Sequence, residues 1–265
     1  MKLVATIMAL AALVLPGAAA AQETFAWPEG RKAAIVLTYD DAAPSQLDNA
    51  IPALDEFGIK ATFFLNARFG EKDVPRWRAA AAKGHELGNH TLFHPCPRGI
   101  FAMEKQYESE GYSERGMFAE IAAMNTLLHA IDGRTGRTMG VPCGMPFAGG
   151  KDYVDALRST GMIRYLRNEI DGGVLVSDPR KLDPFHVPSR AFPESATAAD
   201  YIAFIEEVRA AGGMGVIVFH GVGGDWLQVS NEAHRGLLRY LKEHEREIWT
   251  APFQTVMDHA TGAKR

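Results

Sequence analysis

The chain has 265 residues, 28 Lys and Arg against 32 Asp and Glu, a formal net charge of -4 and two cysteines. That balance argues against a nucleic acid or an anionic lipid surface as partner, since either needs a basic face; an acidic glycan is disfavoured more weakly, because a local patch can override the sum. The length suits a single α/β barrel, and no Pro-, Gly- or Ser-rich linker, low-complexity tract or repeat divides it.

Lys2, an apolar run from Leu3 to Leu15, Pro16-Gly17 and a string of alanines follow the order of a secretory signal peptide. The run is shorter than the roughly 20 apolar residues that a bilayer span needs. Cleavage after Ala21 is expected, dividing the chain into a signal peptide over 1–21 and a catalytic domain over 22–265; a buried N-terminal helix is the alternative. No second long apolar run follows, so the mature chain is expected to carry no membrane anchor and to be periplasmic or secreted. Oligomeric state is open.

Beyond it, strands and helices alternate. Ala33 to Tyr39 is continuously apolar and β-branched and reads as a buried strand. Ser45 with Asp48 resembles a capping box, followed by Leu47, Ile51, Leu54 and Phe57 at helical spacing and closed by Gly58. Pro52 must either start the regular helix or kink it. Ala61 to Leu65 is a second strand, Val74 to Lys83 a short helix, and His85 to Gly88 a short strand. Phe118 to Ile131 marks a long helix ending before Gly133. Thr138 to Pro142, Met162 to Leu166 and Gly215 to Phe219 read as further strands, and Leu237, Leu238 and Leu241 mark the last long helix. Recurrent β-then-α in this length predicts a parallel sheet or barrel, with chemistry at the C-terminal strand ends.

Those ends carry the reactive side chains. The first strand runs into Asp40-Asp41, two carboxylates that are costly to bury unless paired or metal-bound; a cap or loop acid pair is the bland alternative. His90 and His94 are four apart, a spacing that puts both imidazoles on one face of a helix, although Pro95 limits any helix here to a turn. Two histidines and one carboxylate leave coordination positions open for water and substrate. His220 ends the late strand before a glycine-rich loop that carries Trp226, which either stacks on a sugar ring or simply packs.

Together these segments resemble the polysaccharide deacetylases, carbohydrate esterases that include chitin and peptidoglycan deacetylases. Thr38-Tyr39-Asp40-Asp41 resembles the family's first motif, His90-Thr91-Leu92-Phe93-His94-Pro95 its second, and Val218-Phe219-His220 its last. The resemblance implies a distorted (β/α) barrel of about seven parallel strands in a single domain. It implies Asp41, His90 and His94 as ligands of a divalent metal, zinc first, with cobalt and manganese as alternatives. It implies Asp40 as base, His220 as acid, and an oxyanion and substrate loop at Cys143 and Gly144.

Two motifs depart. The third, Arg-x-Pro-aromatic-Gly, appears as Gly140-Val141-Pro142-Cys143-Gly144, with Gly144 to Phe147 a second register; both have Gly where the family has Arg. Arg164 or Arg167 is the candidate replacement for orienting the base. The fourth motif, an Asp near a Trp, has only Asp171 and Asp183 as candidates. The implied substrate is an acetylated oligo- or polysaccharide, with N-acetyl first. An O-acetyl esterase, or an inert metal-containing sugar-binding relative, is the alternative.

In an exported chain the two cysteines are expected to pair. Cys96 lies just after His94 and Cys143 in the oxyanion loop, both on one rim of a parallel barrel. Unpaired thiols, or Cys143 as an extra ligand or nucleophile, are the alternatives.

Overall fold

The computed structural model describes residues 25–169 and 175–263. The expected signal peptide and Asp171 lie outside the described residues. Eleven strands are found among them: β1 Ala33–Asp40, β2 Thr62–Leu65, β3 Glu86–Asn89, β4 Thr138–Gly140, β5 Phe147–Ala148, β6 Lys151–Asp152, β7 Tyr165–Glu169, β8 Val187–Pro188, β9 Arg190–Ala191, β10 Met214–Phe219 and β11 Ile248–Thr250. The helices are α1 Ile51–Phe57, α2 Val74–Ala82, α3 Glu114–Asp132, α4 Val154–Thr160, α5 Ala198–Ala211, α6 Asn231–Glu243 and α7 Phe253–Ala260.

The main sheet runs β8-β7-β4-β3-β2-β1-β10-β9, with β11 also against β1. Its pairings are parallel. Only Ser189 separates β8 from β9, and the first pairs with β7 while the second pairs with β10. One bent segment therefore joins both ends of the path, and the sheet is a nearly closed, distorted barrel with seven strand positions around it. The hairpin β5–β6 stands apart as an antiparallel pair.

All eight residues of β1 are buried, as a strand covered on both faces requires. Alternation sorts them. Ile35, Leu37 and Tyr39 join the outer core under Leu54 of α1, Phe204 and Ile205 of α5 and Leu237 of α6. Ala34 and Val36 face the barrel interior with Phe64, Val187, Met214 and Val216, and Phe253, Val256 and Met257 of α7 pack beneath them. Thr38 and Asp40 continue that inward row.

The lower interior is polar but satisfied. Thr62 and Thr138 donate to Glu86, and the amides of Phe253 and Gln254 bind Thr62 and Glu86. Above it lies Phe64. A Cβ on Gly88 would meet the Phe64 ring at 2.4 Å, so glycine is what lets an aromatic ring fill a narrow barrel.

Several expectations need correction. Ser45 does not cap a helix through its side chain; a π-turn over Gln46–Ala50 comes first. Asp48 pairs with Arg76 instead. Pro52 sits in the first turn of α1, where its missing N–H costs nothing, so it starts the regular helix. The strand expected at Met162 to Leu166 is β7, displaced towards the C-terminus. The β8/β9 and β11 strands are too short to leave a periodic signal.

Candidate active site

Asp40 points into the barrel from the last position of β1. In a continuing strand Asp41 would point the opposite way. Asp41 and Ala42 instead adopt φ of 74° and 54°, which turns the second carboxylate onto the same rim. The Asp41 amide donates to the Phe64 carbonyl at 3.1 Å and holds the turn.

His90 follows β3, and no helix forms after it. Thr91 and His94 both take φ of 58°. Asn89 Oδ1 accepts from the Thr91 amide at 2.7 Å, and Thr91 Oγ1 accepts from the His94 amide at 3.0 Å. These bonds curl the loop until the two imidazole rings lie 4.7 Å apart. The spacing of four thus works through a side-chain-stapled turn rather than a helical face.

Asp41 Oδ1 lies 3.5 Å from His90 Nε2 and 3.2 Å from His94 Nε2. Donors around a tetrahedral ion at about 2.0–2.1 Å stand about 3.3 Å apart, so the spacing fits one ion. The tautomers fit as well. His90 Nδ1 lies 2.7 Å from the Gly140 carbonyl, and His94 Nδ1 lies 3.6 Å from Cys96 Sγ. A carbonyl can only accept, so His90 Nδ1 carries the hydrogen and its Nε2 offers a lone pair; the disulfide sulfur has no hydrogen to give, so His94 is compatible with the same arrangement. Asn66 Nδ2 donates to Asp41 Oδ1 at 3.0 Å, and Trp226 Nε1 donates to Oδ2 at 2.9 Å. Burial raises the Asp41 pKa, but the facing histidines and the indole N–H outweigh it and hold the carboxyl at about 2. Burial pushes the His94 pKa down to about 3, and His90 adds to that against the pull of Asp41. Both shifts favour the ligand forms.

Asp40 is handled differently. Arg167 Nη2 donates to its Oδ2 at 2.5 Å, while Nη1 binds Thr38 Oγ1 at 2.8 Å. Among the described residues its buried Oδ1 has no hydrogen-bond partner. Burial raises the Asp40 pKa; the Arg167 guanidinium, with His90 and His220, wins and holds it below the ordinary carboxylate value. Arg167 lies over the Phe64 ring at 4.9 Å, which seals the pair from below.

Of the two arginines expected near Asp40, only Arg167 reaches it. Arg164 binds Asp258 at 2.9 Å. Arg164 precedes β7, at the end of the strand away from Asp40, and shares Asp258 of α7 with Tyr165; Arg167 lies further along β7 and faces inward. A Cβ on Gly140 would stand 2.7 Å from Arg167 Nη2, so the glycine in the Arg position of the third motif is what admits the guanidinium from the neighbouring strand.

His220 follows β10 in the inward row of Met214, Val216 and Val218. Burial lowers its pKa against the opposing pull of Asp40 and Asp41. Gln46 Nε2 binds the carbonyls of Asp40 at 2.5 Å and His220 at 3.0 Å, tying the two strand ends together. Cys143, at φ 54°, and Gly144, at φ 67°, form the turn after β4. The two cysteines are bonded, with Cα atoms 5.9 Å apart. That closes the alternatives of a thiol ligand or nucleophile. Asp183 is engaged by Arg158 and His186.

Sequence reading missed Gln46, Asn66 and the donor role of Trp226. Gln46 and Asn66 follow the ends of β1 and β2, a position that marks them as rim residues, but only the folded loops reveal their partners.

A family model described as polysaccharide deacetylase matches residues 28–163. The match covers Asp40, Asp41, His90, His94 and both cysteines and ends before Arg167, His220 and Trp226. A peptidoglycan-N-acetylglucosamine deacetylase of Bacillus cereus is 38% identical over 65 residues, 24% of this chain and 24% of that protein. A gellan lyase of a Bacillus species is 27% identical over 122 residues, 46% of this chain and 4% of that protein. The chain thus aligns with less than a quarter of the length of either curated relative. The catalytic domain of a peptidoglycan N-acetylglucosamine deacetylase from Eubacterium rectale superposes with a TM-score of 0.55 at 18% identity, over 88% of this chain and 93% of that one. At that identity the likeness is one of fold.

Proposed function

The chain belongs to the polysaccharide deacetylase family, and from that premise we propose that it is a metal-dependent hydrolase removing acetyl groups, N-linked first, from a carbohydrate or cell-wall polysaccharide. One observation carries the reading: a buried carboxylate with one oxygen held by arginine and the other without a hydrogen-bond partner among the described residues, beside a His-His-Asp donor trio. An inert sugar-binding relative needs the trio alone. Asp40 and Arg167 have no part in it.

Asp41, His90 and His94 would hold a divalent ion, zinc first, with cobalt and manganese sharing the donor set. Such an ion supplies Lewis acidity at the acetyl oxygen and a more acidic water. Asp40 Oδ1 takes the proton of the attacking water, while Arg167 keeps Oδ2 fixed and the carboxyl ionised. The Cys143 amide, in its left-handed turn, serves the developing oxyanion. A ring nitrogen of His220 gives a proton to the departing amine, and the proton that Asp40 has taken from water restores it, so no net proton is gained or lost by the pair.

The rim supports a sugar substrate. Among the described residues the exposed large apolar side chains all lie in the segments that follow β3, β4 and β10, Phe101, Phe147 at the start of β5 and Trp226 among them. Sugar rings present apolar faces to such side chains. Export to the periplasm or beyond remains part of this reading, and it suits a cell-wall substrate. Among the described residues no helix is long and apolar enough to cross a membrane.

The test is released acetate from chitooligosaccharides, peptidoglycan and acetylxylan with zinc present. Acetate from a glycan with wild type, and not with Asp40→Asn, is expected. No acetate from any of the three by the zinc-loaded chain would overturn the reading; release from acetylxylan alone would assign the ester instead of the amide.

A further inference from the structure

We propose that Trp226 is a positioning residue for Asp41: its indole N–H holds Oδ2 so that Oδ1 stays turned towards His90 and His94. The proposal rests on the metal-site reading above. A carboxylate offers about four lone-pair directions and can rotate or bind through both oxygens. Here Oδ2 takes the Trp226 N–H at 2.9 Å, and Arg68 Nη1 lies 3.7 Å from the same oxygen. Oδ1, steadied by Asn66, is left as the single inward-facing donor.

The loop is built to deliver that indole. The Asp225 carboxylate accepts from the Ser45 amide at 2.7 Å, Ser45 Oγ accepts from the Val222 amide at 3.0 Å, and the Trp226 carbonyl accepts from the Gly221 amide at 3.1 Å. Asp225 and Leu227, on either side of Trp226, take left-handed φ of 64° and 47°, which costs non-glycine residues free energy. Burial does not offset that cost, because Trp226 is 39% exposed and Leu227 60%. A tryptophan that merely packed would need neither the strain nor an indole edge against the ligand. Arg68 lies 5.6 Å from the ring centroid and further restricts the ring. The same loop begins at His220, so the ends of the site that serve the proton and the metal share one backbone segment.

The experiment compares zinc affinity of wild type and Trp226→Phe, using a competing chelating dye. Phenylalanine keeps an aromatic ring and removes the N–H. A Kd weaker by about 10–100-fold is expected, the usual cost of losing a hydrogen-bond partner of a ligand, with the thermal midpoint of the metal-free protein little changed. A Kd within about twofold of wild type, on the same scale, would overturn the proposal. A second measurement needs no variant: in wild type, zinc should move the indole N–H resonance of Trp226 more than those of Trp27, Trp77 and Trp249. A Trp226 resonance that stays put while zinc binds overturns it equally. A wild-type chain that takes up no zinc overturns the metal reading and this proposal together.

Discussion

At Gly140, one residue serves two neighbours. Its carbonyl takes the His90 Nδ1–H, and the space left by its missing Cβ admits the Arg167 guanidinium. Gly140→Ala is therefore expected to displace Arg167 and lower turnover by about tenfold, within what disturbing a general base costs, while zinc content stays near wild type. Steady-state rates and metal analysis on one preparation check both halves. Asp40→Asn should keep the ion and lose about 10²–10⁴-fold in rate. His94→Ala should lose the ion, and full occupancy in that variant would refute the ligand assignment. Arg167→Met leaves a buried carboxylate without its cation. It should cost about 3–5 kcal/mol of stability, as breaking one side of a buried pair does, measurable by urea unfolding.

The disulfide acts on two elements at once. It joins the loop after β3, which carries His94, to the turn after β4, which carries the proposed oxyanion amide, across a sequence separation of 47. Closing a loop of that size contributes about 4 kcal/mol in the chain-entropy model. Replacing both cysteines by serine should lower unfolding stability by that order. It should also weaken zinc binding, since His94 Nδ1 loses its sulfur partner and the loop its tether. Urea midpoints and a chelator competition on the double variant check the two effects; unchanged zinc affinity would make the bridge purely structural. The pairing is legible in the sequence because the chain has only two cysteines and both fall on one expected rim. The turn holding His90 and His94 is not, because a spacing of four has a helical period and the bonds from Asn89 and Thr91 to the backbone exist only in the folded loop.

Across the whole molecule, one buried histidine couples β1 to α6. Tyr39 and His234 lie 2.6 Å apart in the outer core. Burial pushes the His234 pKa from 6.5 down to about 3, and Arg235 adds to that. Because the folded state disfavours the charged ring, this site's stability contribution is whole above 6.5, the unfolded value. It falls as the unfolded chain takes up the proton, down to about pH 3. The slope is at most about 1.4 kcal/mol per pH unit. His234→Phe should flatten the acid side of the stability curve whatever its effect at neutral pH. Urea unfolding between pH 4 and 8 checks this, and an equal slope in both proteins would exclude His234 as its source.

The sequence by itself determined the β-then-α order, the strand end at Asp40-Asp41, the spacing of His90 and His94, and which two cysteines could pair. Each is written in residues close along the chain or in a count of two; that the cysteines do pair is shown by the fold. Tertiary structure alone decided that Arg167 and not Arg164 meets Asp40, that Gly140 makes room for it, that Val187 to Ala191 nearly closes the barrel, and that Trp226 meets Asp41. The Arg167–Asp40 and Trp226–Asp41 contacts span 127 and 185 residues. They depend on which parity of a distant strand faces inward and how a strained loop folds back, and local periodicity leaves both choices open.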